Sequence, residues 1–411
     1  MQLDWTFHFG LDVWLEAKRP TALRYHVRMG LHITDIAVSD FRNYERFALG
    51  ELGNLTILVG RNGVGKTNLL EAVQLVTSAG SFRHPQIIQL IREGAENARI
   101  QMEATDGNRR ITTALALEAG KRRYTVNGKA KAAADVRGTL PAVVFTPDDL
   151  QLAKKSSSVK RQALDELGAQ LTRNYHVVLA DYEKTLRFKN RLLKDEASRD
   201  LIAAIDETLV TCGSQLFCYR VALFTRMMPQ LQRIYADISN EGEAFAATYL
   251  PSWDHVAGIQ PSLGGTAECL AGTPIEMREN GAPDRDQVRE LLADSLARFA
   301  EEEARRHRSL LGPHNDKIAF YLAGRDASAF ASQGQQRSIV LAWKLAEVEM
   351  VRQTLGANPV LLLDDVMSEL DETRRDTLVN FASDDIQTFI TATDLTTFNP
   401  TLLERARIIQ L

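Results

Sequence analysis

The stretch that decides the fold of this 411-residue chain is Gly60-Arg61-Asn62-Gly63-Val64-Gly65-Lys66-Thr67. It matches the pattern G-x-x-x-x-G-K-[ST], follows the apolar run 57–59 and precedes a helical pattern that opens at Asn68. In such a loop the glycines let backbone N–H groups converge on phosphate oxygens, and the helix points the positive end of its dipole at them. Lys66 supplies a point charge to the β- and γ-phosphates, and the Thr67 hydroxyl can ligate Mg²⁺. The stretch therefore predicts a strand–loop–helix unit that binds a nucleoside triphosphate with Mg²⁺.

A second apolar run, 360–363, ends in the carboxylates Asp364 and Asp365. At the tip of a buried strand, Asp364 can hold a water molecule on Mg²⁺, and Asp365 would face the γ-phosphate and orient or deprotonate the attacking water. Taken alone, this pattern is equally typical of a strand end that caps the next helix. Lys66 and Asp364 are 298 positions apart. We therefore predict that a large segment is inserted between the two strands.

Sequence patterns divide the chain into four segments. Residues 1–30 show no cap or turn signal and are predicted to be an N-terminal extension. Residues 31–150 alternate as strands do, with hairpin turns at 106–107 and 127–128. Residues 151–331 show helical periodicity, and 332–411 return to alternating helix and strand. We predict an α/β fold in which the second and fourth segments form one domain and the third is an inserted, mainly helical lobe.

The net charge of the chain does not favour binding to a polyanion, because the chain has 49 basic and 53 acidic residues. Any nucleic-acid site must therefore be a local patch. One basic cluster lies on the predicted hairpins and another recurs along a predicted helix: Lys121, Arg122, Arg123, Lys129 and Lys131, and Lys184, Arg187, Lys189, Arg191 and Lys194. The first cluster could track phosphates, but hairpin and helix faces that are simply solvated account for such clusters equally well.

The cysteine count and the hydropathy favour a cytoplasmic protein without a membrane segment. The three cysteines have no metal-ligand spacing, which is typical of a reducing compartment. No stretch approaches the roughly 18 consecutive apolar residues that a membrane helix needs.

A serine-led run, Ser332-Gln333-Gly334-Gln335-Gln336-Arg337, opens the helix that precedes the acidic strand. A serine at a helix start is an N-cap, and the same geometry accommodates a phosphate docked on the helix end. After the acidic pair comes the run Ser368-Glu369-Leu370-Asp371.

Together these motifs resemble those of the ATP-binding-cassette (ABC) ATPases. The serine-led run resembles the family's signature motif, Asp364-Asp365 its Walker B motif, and 368–371 its D-loop. The resemblance implies an ABC-type P-loop ATPase head with a mixed sheet and antiparallel hairpins. It also implies that two ATP molecules are sandwiched in a head-to-tail homodimer, with Ser332, Gly334 and Gln335 facing Thr67 of the other copy.

Four further blocks are similar, in order, to those of the RecF recombination-mediator family: Phe41-Arg42-Asn43-Tyr44, Gly80-Ser81-Phe82-Arg83, Lys160-Arg161-Gln162-Ala163-Leu164-Asp165 and Gly312-Pro313-His314-Asn315-Asp316. The resemblance covers about residues 31–411. It implies an ATP-dependent protein of recombinational gap repair that closes as a dimer around duplex DNA near single-strand gaps. It further implies a RecR-type partner, recombinase loading, a link to the SOS response and weak, DNA-stimulated ATP hydrolysis.

Some features depart from the cassette ATPases. The glutamine-bearing loop is not clear, since Gln86, Arg83 and His84 are all candidates, and residues 391–394 lack the switch histidine of transporters. An alternative is the nucleotide-binding subunit of an ABC transporter, against which stand the long spacing between motifs and the missing histidine. An SMC/Rad50-like tether needs long heptads or a C-x-x-C hook, and neither is present. A P-loop protein that binds only other proteins predicts no DNA binding.

We predict slow ATP hydrolysis, because Asp365 stands where most cassette ATPases carry a glutamate and its shorter side chain places a base less well. Single-turnover hydrolysis should become faster in Asp365→Glu and fall steeply in Asp365→Ala. Equal rates in the wild type and both variants would remove Asp365 from the mechanism.

Overall fold

The computed structural model describes residues 30–411 except residue 119 and the segments 240–241, 254–257, 262–266, 270–274, 279–280 and 383–384. The predicted N-terminal extension, 1–30, therefore lies almost wholly outside the described residues. The chain forms two compact units. The discontinuous unit comprises the described residues up to Leu152 together with Ser332–Leu411, and the inserted unit comprises Ala153–Ala331.

The elements of the described residues are numbered here in chain order. The strands are β1 (His32–Phe41), β2 (Tyr44–Leu49), β3 (Leu55–Val59), β4 (Asn97–Thr105), β5 (Arg110–Glu118), β6 (Lys121–Val126), β7 (Lys129–Lys131), β8 (Ala142–Phe145), β9 (Phe245–Leu250), β10 (Ile259–Pro261), β11 (Ala267–Cys269), β12 (Lys317–Leu322), β13 (Arg325–Asp326), β14 (Val360–Asp364), β15 (Thr388–Ala392) and β16 (Arg407–Gln410). The helices are α1 (Lys66–Thr77), α2 (Ile87–Leu90), α3 (Ala133–Val136), α4 (Ser157–Leu171), α5 (Arg173–Lys194), α6 (Arg199–Ile238), α7 (Arg285–Arg306), α8 (Ala327–Phe330), α9 (Gln333–Leu355), α10 (Glu372–Phe381) and α11 (Pro400–Arg405), with a 3-10 helix at Pro147–Gln151.

A parallel five-stranded sheet forms the centre of the discontinuous unit, in the order β16-β3-β15-β14-β8. Its strands are short apolar runs because both faces of a parallel sheet are covered. Since the strands are parallel, β3, β15 and β14 all end at the same edge of the sheet, where α/β proteins bind ligands. The strand order therefore brings the two sequence motifs together.

An antiparallel six-stranded sheet, in the order β2-β1-β4-β5-β6-β7, lies in the same unit. The predicted hairpin turns are confirmed: β4 pairs with β5 across Gly107, and β6 pairs with β7 across Asn127-Gly128, both of which have positive φ. One hydrophobic core joins this sheet, α1 and the parallel sheet, with members such as Ile100, Val73 and Leu362. The α/β fold with antiparallel hairpins and a mainly helical insert, predicted from the sequence, is confirmed.

The described part of the inserted unit contains the helices α4 to α8 and a five-stranded sheet in the order β11-β10-β9-β12-β13. The forty-residue helix α6 is its centre, because it packs against α4, α5, α7 and β9. Phe217 and Phe224 on α6 meet the Tyr249 ring of β9 edge-on, with ring centroids 5.6 and 5.8 Å apart. Such aromatic contacts add to the burial energy of the core.

Helix α6 corrects the expectation that no stretch approaches a membrane helix, because among the described residues it alone is long and apolar enough to cross one. Length and composition are weak evidence of such a role, since core helices share them. Arg220 near its middle is buried and forms two hydrogen bonds with the Asp165 carboxylate, at 2.9 and 2.8 Å. It also donates to the Pro313 carbonyl at 2.6 Å. These partners inside the unit satisfy the charge, as a protein interior requires.

The two sequence blocks of the inserted unit, 160–165 and 312–316, meet around this arginine. Asp316 is fully buried and accepts hydrogen bonds from the Tyr249 hydroxyl at 2.6 Å and from the Ser252 amide at 2.8 Å. The Arg161 side chain binds the Asp316 carbonyl. The His314 ring contacts the Tyr182 hydroxyl at 2.6 Å, and burial lowers its pKa to about 4. The blocks thus form a polar centre that holds α4, α5, α6 and β12 together.

Lys189, one of the basic residues singled out along α5, is not a surface charge. It is fully buried, and its ammonium group lies 2.5 Å from the Glu303 carboxylate and 2.6 Å from that of Asp206. Glu303 is also buried and accepts hydrogen bonds from the Ser309 hydroxyl and the Leu310 amide. The expectation of a solvated helix face is therefore wrong at Lys189, whereas Lys184 of the same helix is exposed.

Replacing Lys189 with methionine should lower the free energy of unfolding of the inserted unit by about 3–5 kcal/mol, because two carboxylates then lose their buried cation. The matched change Lys184→Met, at an exposed position of α5, should stay within about 0.5 kcal/mol of the wild type. Urea unfolding followed by circular dichroism measures both. A Lys189→Met protein as stable as Lys184→Met would contradict the role of this ion pair.

Candidate nucleotide-binding site

The glycine-rich loop joins the end of β3 at Val59 to the start of α1 at Lys66. Gly63 and Gly65 have φ values of 84° and 119°, which side-chain-bearing residues rarely adopt. A Cβ atom on Gly65 would lie 2.6 Å from the Tyr44 hydroxyl and 2.8 Å from the Asn43 amide nitrogen, so no larger residue fits. Gly65 makes no side-chain cap at the start of α1. The N–H groups in the first turn of α1 can therefore bind an anion at the loop.

Lys66 is buried, with its ammonium group turned onto the loop itself. It donates hydrogen bonds to the carbonyl oxygens of Gly60 at 2.6 Å and Arg61 at 3.1 Å. Two neutral carbonyls satisfy a cation less well than a phosphate does, since charge-assisted bonds are about twice as strong as neutral ones. The loop therefore holds Lys66 in place without consuming its capacity for an anion.

The structure brings together Thr67 and Asp364, which are 297 residues apart. The Thr67 hydroxyl donates to Asp364 Oδ1 at 2.9 Å. The Thr391 hydroxyl donates to the same oxygen at 2.8 Å, because β15 lies between β3 and β14 in the sheet. Thr391 also accepts a hydrogen bond from the Asp365 amide at 2.8 Å. In the sequence Thr391 stands only where transporters carry a switch histidine, and the signal for its role is a hydroxyl at the end of a buried strand.

Asp365 begins the turn after β14 in a left-handed conformation with φ of 52°, which is strained for a residue other than glycine. Its carbonyl accepts the Ser368 hydroxyl at 2.9 Å. Desolvation raises the pKa of the Asp365 carboxyl; Lys66 opposes this effect, and the neighbouring carboxylate of Asp364 adds to it. A carboxyl whose pKa is raised is a better general base near neutral pH than an ordinary aspartate.

Two of the resemblance blocks, 41–44 and 80–83, support the loop from behind α1. Arg42 forms two hydrogen bonds of 2.8 Å with the fully buried Glu71 of α1. Glu71 also accepts the Ser81 hydroxyl at 2.5 Å, and the Arg83 guanidinium lies 3.7 Å from its carboxylate. A buried carboxylate with several donors is well satisfied, and it fixes the first turns of α1.

A chain of side-chain amides continues from these blocks to the loop. Asn43 donates to the Val64 carbonyl at 2.9 Å and accepts from Asn68 at 2.8 Å, and Asn68 accepts from Arg83 at 2.8 Å. Arg83 is thus engaged with α1. Gln86 is exposed and caps the short helix α2. Which residue corresponds to the glutamine-bearing loop stays a prediction.

Ser332 caps α9, and its exposed side chain accepts a hydrogen bond from the Gln335 amide at 3.2 Å. Gln335 reciprocates, because its side-chain oxygen accepts the Ser332 amide at 2.7 Å. This capping box fixes the start of a 23-residue helix whose dipole is positive at that end. Arg374 of α10 donates to the Ser338 hydroxyl at 2.9 Å, and Arg337 lies 3.2 Å from Glu369. The runs 332–337 and 368–371 are therefore linked to each other.

The residues at the sheet edge fit ATP and Mg²⁺. Mg²⁺ prefers oxygen ligands and is usually held by one or two carboxylates together with phosphates and water. Thr67 and Asp364 supply one hydroxyl and one carboxylate beside a phosphate-binding loop. Among the described residues there is no group of three or more His, Cys, Asp or Glu residues that could hold a metal ion.

This fold and this site define a P-loop ATPase head. Comparison with known proteins narrows the class, since residues 32–407 match the family model of the RecF/RecN/SMC N-terminal domain. The DNA replication and repair protein RecF of Symbiobacterium thermophilum is 36% identical over 370 residues, which cover 89% of this chain and 92% of that protein. RecF of Trichlorobacter lovleyi is 33% identical over 389 residues, which cover 93% and 96%. The chain belongs to the RecF family.

A solved structure agrees with this assignment. The recombination mediator protein RecF-ATP in the RecFOR pathway superposes with a TM-score of 0.78 at 27% identity, covering 92% of this chain and 96% of that one. The predicted ABC-type head and the RecF resemblance are confirmed, and so is the broad role in DNA replication and repair. The alternatives of a transporter subunit and a tether are not favoured.

Replacing Thr391 with valine removes the hydroxyl that joins Asp364 to the Asp365 amide while keeping the volume. We expect the free energy of unfolding to fall by about 1–3 kcal/mol, because buried polar groups lose their partner. The control Thr391→Ser retains the hydroxyl and should recover at least half of the loss. Denaturant unfolding of the three proteins measures this, and a Thr391→Val protein as stable as Thr391→Ser would show that the hydroxyl has no such role.

Proposed function

We propose that this chain is an ATP-dependent DNA-binding protein of recombinational gap repair. ATP drives two copies together on duplex DNA near single-strand gaps, where they assist recombinase loading with a RecR-type partner, and slow hydrolysis resets the complex. The contact between Thr67 and Asp364, at 2.9 Å, carries the nucleotide part of this proposal. Membership of the RecF family supports the DNA part. The ATPase lobe comprises 31–150 and 332–411, with 151–331 as the helical lobe.

The nucleotide site comprises the loop Gly60-Arg61-Asn62-Gly63-Val64-Gly65-Lys66-Thr67 and the carboxylates of β14. The loop amides and the Lys66 ammonium bind the phosphates, and Lys66 exchanges its two carbonyl partners for phosphate oxygens. Thr67 and Asp364 hold Mg²⁺, with Thr391 orienting the carboxylate. ATP supplies the phosphoanhydride bond that is broken when the nucleotide is hydrolysed.

Asp365 orients the attacking water and accepts its proton, a role that its raised pKa supports. Its backbone is fixed by the Thr391 hydroxyl and the strained turn, so the short carboxylate has little freedom to approach the γ-phosphate. We therefore assign weak, DNA-stimulated ATPase activity to the chain. Such a rate suits a timer that limits how long the closed state lasts.

The exposed start of α9 supports the proposed homodimer. Ser332, Gly334 and Gln335 lie at a helix end whose dipole favours an anion, and Ser332 is exposed. We assign these residues to the γ-phosphate of the ATP that the other copy holds. The RecFOR pathway named for the solved RecF-ATP structure supports a RecR-type partner. The proposal also includes a cytoplasmic location and a link to the SOS response.

Sedimentation velocity with ATP and Mg²⁺ should show the wild type as a dimer and Lys66→Met as a monomer, because the variant lacks the phosphate-binding cation. The control Lys129→Met removes an exposed lysine of β7 and should still form dimers. In a gel with gapped duplex, ATP should increase wild-type binding, and added salt should weaken it. A wild type that stays monomeric with ATP, Mg²⁺ and DNA at high concentration would refute the proposal.

A further inference from the structure

Strand register defines two side-chain rows across the antiparallel sheet. Residues directly opposite one another in antiparallel strands project to the same face. In the first row, each residue is paired with its neighbour on the next strand, and all of them belong to the hydrophobic core or pack against it: Phe47, Val38, Ile100, Leu115 and Tyr124. The row one residue further along the strands is Arg46, Ser39, Arg99, Ala116 and Arg123. Because side chains alternate between faces, the second row lies on the face opposite the core.

The arginines of this second row are evenly spaced. Arg46 lies on β2, Arg99 on β4 and Arg123 on β6, and all three are exposed. Each is two strands from the next in the order β2-β1-β4-β5-β6. Since neighbouring strands are about 4.8 Å apart, successive arginines are about 10 Å apart and the arginine row is about 19 Å long. That length is comparable with the width of a nucleic-acid duplex.

Other charges on this face leave the arginine row positive. Glu118 lies 3.4 Å from Arg123, but both side chains are about half exposed, and such pairs contribute little. Arg99 donates to the neutral Gln101 at 3.2 Å. The remaining charges of the face are Lys121, Arg110, Asp35 and Glu103. Glu103 pairs with Arg110 at 3.5 Å. Asp35 and Glu103 each lie four residues along their strands from the arginine row, a distance of roughly 13 Å.

Small residues surround the arginines. Ser39 and Ala116 separate them within the row, and the next row on this face contains Ala48, Ala37, Gln101, Ala114, Thr125 and Ala130. Alanine has low strand propensity, so strand formation does not account for these choices. Their short side chains leave a flat surface on which a rigid polyanion can lie close to the guanidinium groups.

We infer that Arg46, Arg99 and Arg123 bind the phosphate backbone of duplex DNA. Guanidinium groups pair with phosphates in bidentate geometry, and a duplex presents closely and regularly spaced charges. The contacts are made without base-edge readout, so this surface binds DNA irrespective of sequence. The inference rests on the proposed DNA-binding function and assigns a surface to it.

The test is the salt dependence of binding to a short blunt duplex, with ATP and Mg²⁺ present. The triple change Arg46→Gln, Arg99→Gln and Arg123→Gln should reduce the slope of log K against log salt by about 2.7 for each copy that contacts the duplex, since each phosphate contact contributes about 0.9. Between about 50 and 200 mM salt the wild type should therefore lose roughly 40-fold more affinity than the variant for each such copy. ATP-dependent dimerisation should be unchanged.

The matched control is Arg289→Gln, Arg298→Gln and Arg308→Gln, which removes the same charge from exposed positions of the inserted unit and should keep the wild-type slope. Equal loss in both triple variants would indicate a general charge effect and overturn the inference. An unchanged slope in the first variant would overturn it too, whereas a wild type that binds no duplex would refute the proposed function. If the triple variant does not fold, the single change Arg99→Gln takes its place, with an expected loss of about 0.9 in slope for each copy that contacts the duplex.

Discussion

The hydrogen bond between the Thr67 hydroxyl and the Asp364 carboxylate joins the two ends of the discontinuous unit. It forms only because β15 separates β3 from β14, so that Thr391 can contact the same carboxylate oxygen from between them. Every assigned nucleotide ligand, from the loop lysine to the carboxylate of Asp365, depends on this strand order. A change of order by one strand would separate the loop from its acidic partner.

Support for this edge comes from residues well outside the two motifs. Arg42, Asn43, Ser81 and Arg83 hold the back of α1 and the loop through Glu71 and Asn68. The inserted unit has a separate polar centre around Arg220, in which a fully buried Asp316 is satisfied by tyrosine and amide donors. Buried networks of this kind are costly unless every member is paired, and their geometry is correspondingly specific.

The loop, the acidic strand and the serine cap could be predicted from the sequence because each is a local pattern with a local physical cause. The α/β fold with its helical insert followed from the spacing of those patterns. Lys189 could not be read correctly, since its partners Asp206 and the buried Glu303 come from other helices later in the sequence. Thr391 was missed for a similar reason, because a threonine that ends a strand gains meaning only from the neighbouring strands. The arginine row depends on the register of five strands, which periodicity alone does not define.

The order of the parallel sheet also bears on how the protein is made. The neighbours of β3 are β15 and β16, and the neighbour of β8 is β14. All of these partners follow the inserted unit in the chain, so during synthesis on the ribosome β3 and β8 emerge long before the strands that pair with them. Long-range pairing of this kind is slow and leaves apolar strands uncovered for a time. The nascent chain therefore holds its glycine-rich loop without the parallel sheet to anchor it until nearly all of the residues that the structure describes have been translated.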